Sequence, residues 1–464
     1  MVKKSRDKNS LSIIIVGCGK VGSTLVEQLS QEGNNDITVV DKDRNVVHTL
    51  CNTYDVMGVV GNGGSYNILM DAGIEKADLM VAVTDSDELN LLCCVIAKQV
   101  GNCATIARVR TPDYSTEVGY IRQKLGLTMI INPEEEAAKE AARILYLPSA
   151  LEINPFAHGQ AEMIKFRVPQ NNILDGMTIA YLGSTFTSKV LICAVERSGQ
   201  IFIPSGAFRL AHGDIISFVS SREDAKAFLK DIGFNIKQVA STMIIGGGKS
   251  SYYLAKQLLH SGIRVKIIEK DPERCEELSD LLPNAVIINE DGSNEDVLKE
   301  EGIAYTDSFV PLTGIDEENI LLTLYARQVS DAKVITKINR ISFNNVINSL
   351  DLGSVIYPRY ITSEAIIAYV RAKQDSMGSN IETLYHLFDH RVEAIEFRVD
   401  RDSEVTDTPL MNLNLKRDLL IAFINRKGQI LIPSGRDCIM NGDTVMIVTT
   451  HPGFNDISDI LRED

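Results

Sequence analysis

Residues 13–22 read IIIVGCGKVG, an apolar run of strand length that leads directly into a glycine-rich turn. The glycines fit the spacing GxGxxG, and a helix is predicted to follow over about 22–30. In dinucleotide-binding folds the first glycine permits a tight turn, the second lets a pyrophosphate approach the backbone, and the third lets helix and strand pack closely. The phosphates then meet the free N–H groups at the helix N-terminus. We therefore predict a phosphate-binding turn made of Gly17, Cys18, Gly19, Lys20, Val21 and Gly22.

An acidic residue follows where the second strand should end. The run ITVVDKD places Asp41 19 residues after Gly22 (41 − 22 = 19), close to the spacing of about 20 that nucleotide folds show. A carboxylate at this position binds the ribose hydroxyls and disfavours a 2′-phosphate, so we expect NAD(H) in preference to NADP(H). Asp43 is instead predicted to cap the next helix.

The turn recurs in the second half as MIIGGGKSS, residues 243–251, at an offset of 229 (246 − 17 = 229). The same offset relates DELN at 87–90 to DEEN at 316–319, SGQIFIPSG at 198–206 to KGQILIPSG at 427–435, and HGD at 212–214 to NGD at 441–443. A constant register across separate landmarks indicates that the chain is a duplication of one unit. One functional interpretation must therefore fit both halves.

The second turn departs from the first at two positions. Gly246 and Gly248, followed by Lys249, provide the first part of the pattern, but Ser251 replaces the third glycine and Glu269 replaces the ribose-binding aspartate. A serine adds bulk where helix meets strand, so we expect slightly looser packing there. This second site either binds more weakly, takes a different nucleotide, or survives only as a structural turn.

Further pocket residues are expected at strand ends, because ligands of open α/β sheets bind beyond the carboxyl ends of the strands. Three pairs are related by the same offset. The first is predicted to contact adenine or ribose, the second follows the fourth strand of its sheet, and the third is predicted to contact phosphate. These pairs are Asn62 and Asp291, Thr84 and Thr313, and Arg108 and Lys337. Each residue alone is equally compatible with a capping or solvated role.

The pattern of apolar runs predicts an α/β fold with two tandem Rossmann-like, doubly wound parallel sheets, each followed by a small α+β lobe. In the first unit, strands are predicted at 12–16, 37–40, 56–60, 79–83, 105–109 and 129–131, and a strong helix at 134–147. Its lobe should hold strands at 161–168, 190–196 and 215–219, and the second unit a helix at 363–373. The predicted domains are 11–148, 149–235, 236–376 and 377–464.

Composition excludes several classes of protein. The formal net charge is −15, from 62 acidic and 47 basic residues, which disfavours binding to nucleic acid or anionic lipid. No apolar run approaches the roughly 18 residues of a membrane span, and residues 1–10 form a polar leader rather than a signal peptide. The eight cysteines include no CxxC pair, so we expect reduced thiols, no metal site and a cytosolic protein.

No reaction centre is evident in the sequence. The seven histidines form no catalytic grouping, and GxSxG, HExxH and a correctly spaced P-loop are all absent. Cys18 could be a redox-active thiol, but the favoured interpretation is that it is simply a small residue that fits the turn. We therefore predict a nucleotide-binding sensor that is not an enzyme. An NAD-dependent oxidoreductase and a stand-alone cytosolic redox or nucleotide sensor remain the alternatives.

The segments GCGKVG, VVDKD, VVGNGG, VAVTDSDELN and IARVR, followed by IFIPSG and HGD, resemble the RCK (regulator of potassium conductance, or KTN) family. The resemblance spans about 11–461 and implies two RCK-N/KTN domains, each with an RCK-C lobe. It implies a regulatory subunit that gates a membrane potassium-uptake transporter of the TrkH or TrkG type. Such a subunit forms a homo-oligomeric, tetrameric ring, peripheral on the inner face of the cell membrane, without direct membrane insertion.

The resemblance also implies the ligands and their sites. NAD(H) is expected in the first site and either NAD(H) or ATP/ADP in the second. The helices at 134–147 and 363–373 become candidate crossover elements that join a sheet to its lobe and to a neighbour. Asn62 stands where an acid is common in relatives. The first site would use Gly17, Gly19, Gly22, Asp41, Asn62, Thr84 and Arg108, and the second Gly246, Gly248, Glu269, Asp291, Thr313 and Lys337.

Overall fold

The structure is a computed structural model. It describes residues 10–462, apart from 32–34, 116, 235, 340–346, 348–349, 375–378 and 389–390. Most of the predicted polar leader and His390 lie outside the described residues, as do residues 235, 376 and 377 at the predicted domain boundaries. None of the described helices combines the length and the apolarity that a bilayer crossing requires.

The first sheet has six parallel strands in the order β3-β2-β1-β4-β5-β6. Its strands are β1 (Leu11–Val16), β2 (Asn35–Asp41), β3 (Met57–Val60), β4 (Leu79–Ala82), β5 (Ala104–Arg108) and β6 (Met129–Ile131). The strand order reverses between β1 and β4, which creates the crevice where nucleotides bind in such sheets. The predicted doubly wound fold is confirmed.

At least one helix follows each strand of the first sheet. These helices are α1 (Lys20–Gln31), α2 (Arg44–Thr53), α3 (Tyr66–Asp71), α4 (Asp87–Val100), α5 (Pro112–Ser115), α6 (Val118–Leu125) and α7 (Pro133–Tyr146). Asp43 caps α2, Ser86 caps α4 and Asn132 caps α7, and each side chain accepts a backbone N–H of the first turn. Such a cap stabilises a helix by about 1 kcal/mol, which explains these starting points.

The first lobe is an antiparallel sheet in the order β10-β9-β11-β8-β7 with two helices. Its elements are β7 (Glu152–Phe156), β8 (Ala161–Arg167), α8 (Ile179–Thr185), β9 (Leu191–Arg197), β10 (Gln200–Phe202), β11 (Ile215–Ser220) and α9 (Arg222–Asp231). The sequence did not predict the two edge strands β7 and β10. Their short runs, with a proline in one of them, give a weak alternating pattern.

The second sheet repeats the first, in the order β14-β13-β12-β15-β16-β17. Its strands are β12 (Ser241–Ile245), β13 (Arg264–Glu269), β14 (Val286–Asn289), β15 (Ser308–Pro311), β16 (Lys333–Lys337) and β17 (Ser354–Ile356). Its helices are α10 (Lys249–His260), α11 (Pro272–Leu281), α12 (Glu295–Glu300), α13 (Asp316–Val329) and α14 (Pro358–Gln374). Helix α14 begins five residues before the predicted start at 363 (363 − 358 = 5), because proline is well tolerated in a first helical turn.

The second lobe has the strand order β18-β19-β22-β20-β21. Its strands are β18 (Ser379–Leu387), β19 (Val392–Val399), β20 (Leu419–Arg426), β21 (Gln429–Leu431) and β22 (Thr444–Thr449). In the described part of this lobe, the helical turns at Leu410–Asn412 and Ile457–Ile460 are short 3-10 helices. The second lobe is thus more purely β than the first.

The two halves interlock through α7 and α14. Buried alanines at Ala137 and Ala141, with Leu145 one turn on, pack into the core of the second sheet beside Ile244 and Ile335. Small side chains at this spacing let the backbones of α7 and α10 approach closely. Helix α7 therefore leaves its own sheet and packs against the other half.

Helix α14 makes the reciprocal contact. Its Ile366, Ile367 and Val370 belong to the same buried cluster as Ile13 and Val81 of the first sheet. Each half thus completes the hydrophobic core of the other. Because both exchanges bury apolar surface, separating the halves would expose two cores at once.

The two lobes also pack against each other, through the faces of their sheets. The rings of Phe156 and Phe423 meet edge to face at 6.3 Å, within one buried cluster shared by both lobes. The backbone N–H of Ala157 donates to Glu396 across this contact at 2.9 Å. The arrangement joins all four parts of the described chain into one body.

Candidate nucleotide-binding sites

The first glycine turn is packed so tightly that no residue with a side chain fits at two of its glycine positions. Gly17 has a φ of +89°, and a Cβ there would lie 2.6 Å from the backbone nitrogen of Thr84. A Cβ on Gly22 would lie 2.0 Å from the carbonyl oxygen of Gly17. At Gly19, in contrast, no atom lies within 4 Å of the position that a Cβ would occupy. This open space is where a pyrophosphate would approach the backbone.

Asp41 lies beside the turn and holds it. Its Oδ2 accepts the backbone N–H of Cys18 at 2.6 Å, and its Oδ1 accepts that of Asp43 at 2.9 Å. Each carboxylate oxygen has two lone pairs, so both retain capacity for a ribose hydroxyl. The carboxylate is therefore placed at the end of β2, next to the turn, where the sequence predicts it.

Cys18 is buried within the turn. Burial and the nearby Asp41 carboxylate raise the pKa of the Cys18 thiol to about 12. Since the thiolate is the reactive form, the thiol is unreactive at neutral pH. This favours the interpretation of Cys18 as a small residue that fills the turn.

A buried asparagine organises the strand ends around the crevice. Asn90, which is 0% exposed, accepts the backbone N–H of Thr84 at 2.8 Å and its hydroxyl at 2.7 Å. Its Nδ2 donates to the carbonyl oxygens of Thr84 and Arg108. The residue thus ties the end of β4 to the end of β5. Sequence reasoning missed its role, although the repeated DELN and DEEN runs carried the signal.

Arg108 is a cation with unused hydrogen-bonding capacity. Its Nη2 donates to the carbonyl oxygen of Thr84 at 2.6 Å and to Asp85 at 3.2 Å, while its buried Nε has no hydrogen-bond partner among the described residues. Burial lowers the pKa of the guanidinium, which nevertheless stays charged. A buried cation with a free donor fits an anionic ligand such as phosphate.

Asn62 follows β3, at the far side of the first sheet from Arg108. Its Oδ1 accepts the backbone N–H of Gly64 at 3.0 Å, and the residue is exposed. The counterpart Asp291 accepts both the N–H and the hydroxyl of Ser293, and these hydrogen bonds lower the pKa of its carboxyl. Both side chains shape local turns and keep acceptor capacity for a ligand.

The second turn is looser than the first. Gly246 has a φ of +93°, but a Cβ there would lie 3.3 Å from Thr313, against 2.6 Å at the matching contact of Gly17. Ser251, at the third glycine position, is fully buried and donates its hydroxyl to the carbonyl oxygen of Gly246 at 2.5 Å. The serine therefore adds a hydrogen bond where the first turn has only close packing. At Gly248 the space beside the backbone is open, as at Gly19.

The acid beside the second turn reproduces the contacts of Asp41. Glu269 accepts the backbone N–H of Gly247 at 2.5 Å through Oε2 and that of Asp271 at 2.8 Å through Oε1. Its longer side chain reaches the same two positions relative to its turn. The departure from aspartate therefore preserves the local geometry while changing the shape of the ribose end.

The strand-end network is also duplicated in the second half. Thr313 donates its hydroxyl to Asn319 at 2.8 Å, and Asn319 donates to the carbonyl oxygen of Lys337 at 3.0 Å. Lys337 Nζ donates to the carbonyl oxygen of Leu312 at 3.1 Å, and burial lowers the pKa of the ammonium group. The second half thus keeps a cation at the position of Arg108.

The start of the helix after the second turn contacts residues that follow β5 of the first sheet. Lys249 Nζ, at the start of α10, donates to the hydroxyl of Thr111 at 3.2 Å, although the two residues are 138 positions apart. That hydroxyl donates to Asp87 at 2.7 Å. Tyr253 of the same helix donates to the carbonyl oxygen of Arg110 at 2.8 Å. The start of α10 therefore lies beside the first site.

Glu134 supplies a negative charge to both sites. Its Oε1 lies 3.7 Å from Arg110 Nη1, and its charge favours the protonated forms of Arg108 and Lys337. These two cations come from β5 and β16, one in each half. A single carboxylate at the start of α7 is therefore shared between the strand-end cations of the two units.

The glycine-aspartate turns of the lobes, which the sequence also repeats, are structural. Asp214 is paired with Arg197 through two hydrogen bonds of 2.7 Å, and Asp443 is paired with Arg426 at 2.9 and 2.7 Å. Across the described ranges, no group of three or more His, Cys, Asp or Glu side chains is arranged to hold a metal ion.

Comparison with known proteins places both halves in one family. The family model described as the TrkA-N domain matches residues 13–133 and 242–358. The family model described as the TrkA-C domain matches residues 163–233 and 394–462. Together the four matches repeat the order of sheet and lobe seen in the fold.

Two relatives match this chain over nearly their whole length. The chain is 31% identical over 445 residues to the Trk system potassium uptake protein TrkA of Haemophilus influenzae, covering 94% of this chain and 95% of the relative. It is also 31% identical to a TrkA homolog of Archaeoglobus fulgidus, covering 97% and 100%. A solved structure described as the GsuK channel bound to NAD matches with a TM-score of 0.63 at 17% identity, covering 97% of this chain and 78% of that one. At that identity the likeness shows the fold alone.

Proposed function

We propose the following function on the basis that this chain belongs to the TrkA family, as the matches above show. The protein is a regulatory subunit of a membrane potassium-uptake system, and nucleotides act on it as effectors. The observation that carries the proposal is the pair of phosphate-binding turns, each open at its second glycine, Gly19 and Gly248. The relatives' name, Trk system potassium uptake protein, supplies the process.

A nucleotide can regulate only through a difference in affinity between two conformations of the protein. The contact between Lys249 and Thr111 suggests how the two sites communicate. A phosphate in the second site competes for the Lys249 ammonium group, which then releases Thr111. Since Thr111 holds Asp87 beside the first site, each site senses whether the other is filled.

We assign NAD(H) to the first site and either NAD(H) or ATP/ADP to the second. Asp41 is the basis of the first assignment, because a carboxylate beside the ribose disfavours a 2′-phosphate. Glu269 and Ser251 make the second site different in shape, which supports a different choice of nucleotide. The proposed first site comprises Gly17, Cys18, Gly19, Lys20, Val21, Gly22, Asp41, Asn62, Thr84 and Arg108, and the second Gly246, Gly248, Lys249, Glu269, Asp291, Thr313 and Lys337.

The proposed partner is a membrane-embedded potassium transporter of the TrkH or TrkG type, which the chain contacts from the cytoplasmic side as a peripheral subunit. We also propose that copies of the chain form a tetrameric ring. Leu92 of α4 is 49% exposed, and Leu321 of α13, at the same offset of 229 (321 − 92 = 229), is 67% exposed. Exposed leucines that recur in both halves support a repeated contact between copies. The proposed domain bounds are 11–148, 149–235, 236–376 and 377–464.

The proposal is tested with the transporter and this chain reconstituted together in vesicles. We expect potassium uptake to change on addition of NADH or ATP, and NADH absorbance to stay constant because no turnover occurs. Vesicles that hold the transporter alone are the control. Uptake that ignores both nucleotides at saturating concentration would contradict the regulatory role, whereas steady NADH oxidation would indicate an oxidoreductase.

A further inference from the structure

A cavity of about 530 Å³ lies where α7, the first lobe, α14 and the second lobe meet. None of the proposed nucleotide-binding residues lines it. Ionisable side chains enter it from four separate elements, namely Glu140 of α7, Glu152 of β7, Glu364 of α14 and His386 of β18. A change of charge in this cavity therefore acts on both of the helices that the halves exchange.

Glu140 is half-buried in the cavity wall and makes no hydrogen bond or ion pair with any described residue. Burial and the Glu152 carboxylate raise the pKa of Glu140 to about 8. The charge of Arg143, one turn away on the same helix, opposes this shift, and that of Glu364 adds to it. Glu140 is therefore mostly neutral at pH 7, and it becomes charged when the pH rises past about 8.

His386 lies between two carboxylates. Its Nδ1 is 3.4 Å from Glu364 Oε1 and its Nε2 is 3.4 Å from Glu393 Oε1, while its backbone N–H donates to Glu364 at 3.1 Å. Burial lowers the pKa of the imidazole, but the two carboxylates outweigh it and raise the pKa to about 9. Burial also raises the pKa of Glu364 against the pull of His386, so the two groups titrate together. The imidazole is charged at pH 7 and becomes neutral above about pH 9.

Most other charges around the cavity are already paired. The ion pairs are Glu152 with Lys165 at 3.2 Å, Glu393 with Arg371 at 3.0 Å, Glu196 with Arg391 at 2.9 Å, Glu136 with Lys139 at 2.7 Å, and Asp351 with Arg327. The wall also carries Arg143 and the exposed Arg167, and burial raises the pKa of the Tyr385 hydroxyl, which stays neutral. Raising the pH from 7 past 9 therefore lowers the net charge of the cavity by two, because one proton leaves Glu140 and one leaves His386.

We propose that this junction is a proton-responsive switch, which holds α7 and α14 close while Glu140 is protonated and His386 is charged. Once its proton has left, the Glu140 carboxylate is added to those of Glu152 and Glu364. The neutral His386 no longer separates the charges of Glu364 and Glu393. Like charges repel strongly where little water screens them, so the conformation in which the helices move apart and water enters is then favoured.

The two groups act in the same direction. Each has a higher pKa in the closed junction than in water, where a glutamate and a histidine have pKa values of about 4.3 and about 6.5. Closing the junction therefore takes up protons, and a rising pH opposes closure. Because α7 packs into the core of the second sheet and α14 into that of the first, movement at this junction reaches both sheets. The switch goes beyond the proposed function, since it needs neither nucleotide nor transporter.

The test is hydrogen–deuterium exchange of the full chain without nucleotide, at about pH 7 and about pH 9.5, which bracket the two pKa values. Loss of the Glu140 proton alone shifts the opening equilibrium by about tenfold between these conditions, because its pKa lies about one unit above 7. We expect the backbone amides of α7 and α14 to exchange at least about tenfold faster at the higher pH, after correction for the intrinsic exchange rate.

Three variants separate the contributions. Glutamine mimics the protonated acid, so Glu140→Gln should match the wild type at about pH 7 and lose about tenfold of the increase at about pH 9.5. His386→Gln should exchange faster than the wild type already at about pH 7, because it lacks the cation between Glu364 and Glu393. The exposed control Glu75→Gln should respond to pH as the wild type does.

Three results would overturn the proposal. The first is exchange in α7 and α14 of the wild type that is the same at both pH values. The second is an increase spread evenly over the whole chain, which indicates general loosening in alkali. The third is an equal increase in Glu140→Gln and the wild type. The first two need no variant, so they decide the proposal even where Glu140→Gln fails to fold, and none of the three bears on the nucleotide sites.

Discussion

Replacing Gly19 with alanine should separate nucleotide binding from stability more cleanly than any other change in the first turn. No atom lies within 4 Å of the position that the new methyl group would occupy. The free protein therefore accommodates Gly19→Ala without moving its neighbours. The same open space is where a pyrophosphate must approach the backbone, so the methyl group obstructs the ligand and not the fold.

The size of each effect follows from this geometry. Where alanine fits without strain, removing a glycine changes the free energy of unfolding by about 0.4–1 kcal/mol in the stabilising direction. A hydrogen bond to a charged group contributes about 1.5–3 kcal/mol. Losing one such bond between turn and phosphate, at about 1.4 kcal/mol for each tenfold in affinity, should weaken NADH binding by roughly tenfold to a hundredfold.

The assay combines calorimetric titration with NADH and urea unfolding of the same samples. Gly22→Ala is the matched control, because its Cβ would lie 2.0 Å from the carbonyl oxygen of Gly17. That variant should lose about 1–3 kcal/mol of stability through overpacking. Undiminished NADH affinity in Gly19→Ala, or a marked loss of its stability, would refute the role assigned to this turn.

Four further changes have defined outcomes. Ser251→Ala should lower the free energy of unfolding by about 1–3 kcal/mol, since a buried carbonyl oxygen loses its donor; an unchanged urea midpoint would contradict this. Asn90→Ala should cost at least about 2 kcal/mol by the same measurement and weaken NADH binding, because the ends of β4 and β5 come apart; unaltered binding would remove its positioning role. Asp214→Asn should lower the free energy of unfolding of the first lobe by about 1–3 kcal/mol, because it removes the carboxylate that pairs with an arginine through two hydrogen bonds. Limited proteolysis in urea should then cut the first lobe first, and cleavage confined to the second lobe would contradict this. Neighbouring carboxylates raise the pKa of His386 to about 9 against its burial, so its charge stabilises the fold below about pH 6.5 and that contribution disappears as pH rises through about 9; the thermal stabilities of wild type and His386→Gln should converge over that window, and a constant gap would contradict the pairing.

Most of the fold could be predicted from the sequence because its signals are local. Buried parallel strands give nearly continuous apolar runs, as at 12–16 and 79–83, and the glycine turn fixes where α1 begins. The constant offset then transferred each conclusion to the second half. The edge strands β7 and β10 were missed because short edge segments carry little hydrophobic periodicity.

The site was predictable in its parts but not in its connections. The positions of Gly17, Asp41 and Glu269 follow from spacing alone, and the structure places all three at the crevice. The contact between Lys249 and Thr111 joins residues 138 positions apart, and no local pattern indicates it. The exchange of α7 and α14 has the same character, because an amphipathic helix does not specify which of two similar sheets it covers.

The chain is proposed to carry two separate nucleotide sites that bind without turnover. The most direct test is titration of the purified chain with NADH and, separately, with ATP, using Asp41→Ala, Glu269→Ala and the helix-cap control Asp43→Ala. We predict that Asp41→Ala and Glu269→Ala each remove a distinct class of site, that Asp43→Ala removes neither, and that NADH is not consumed. Failure of the wild-type chain to bind either nucleotide would contradict the regulatory mechanism, even though the fold would stand.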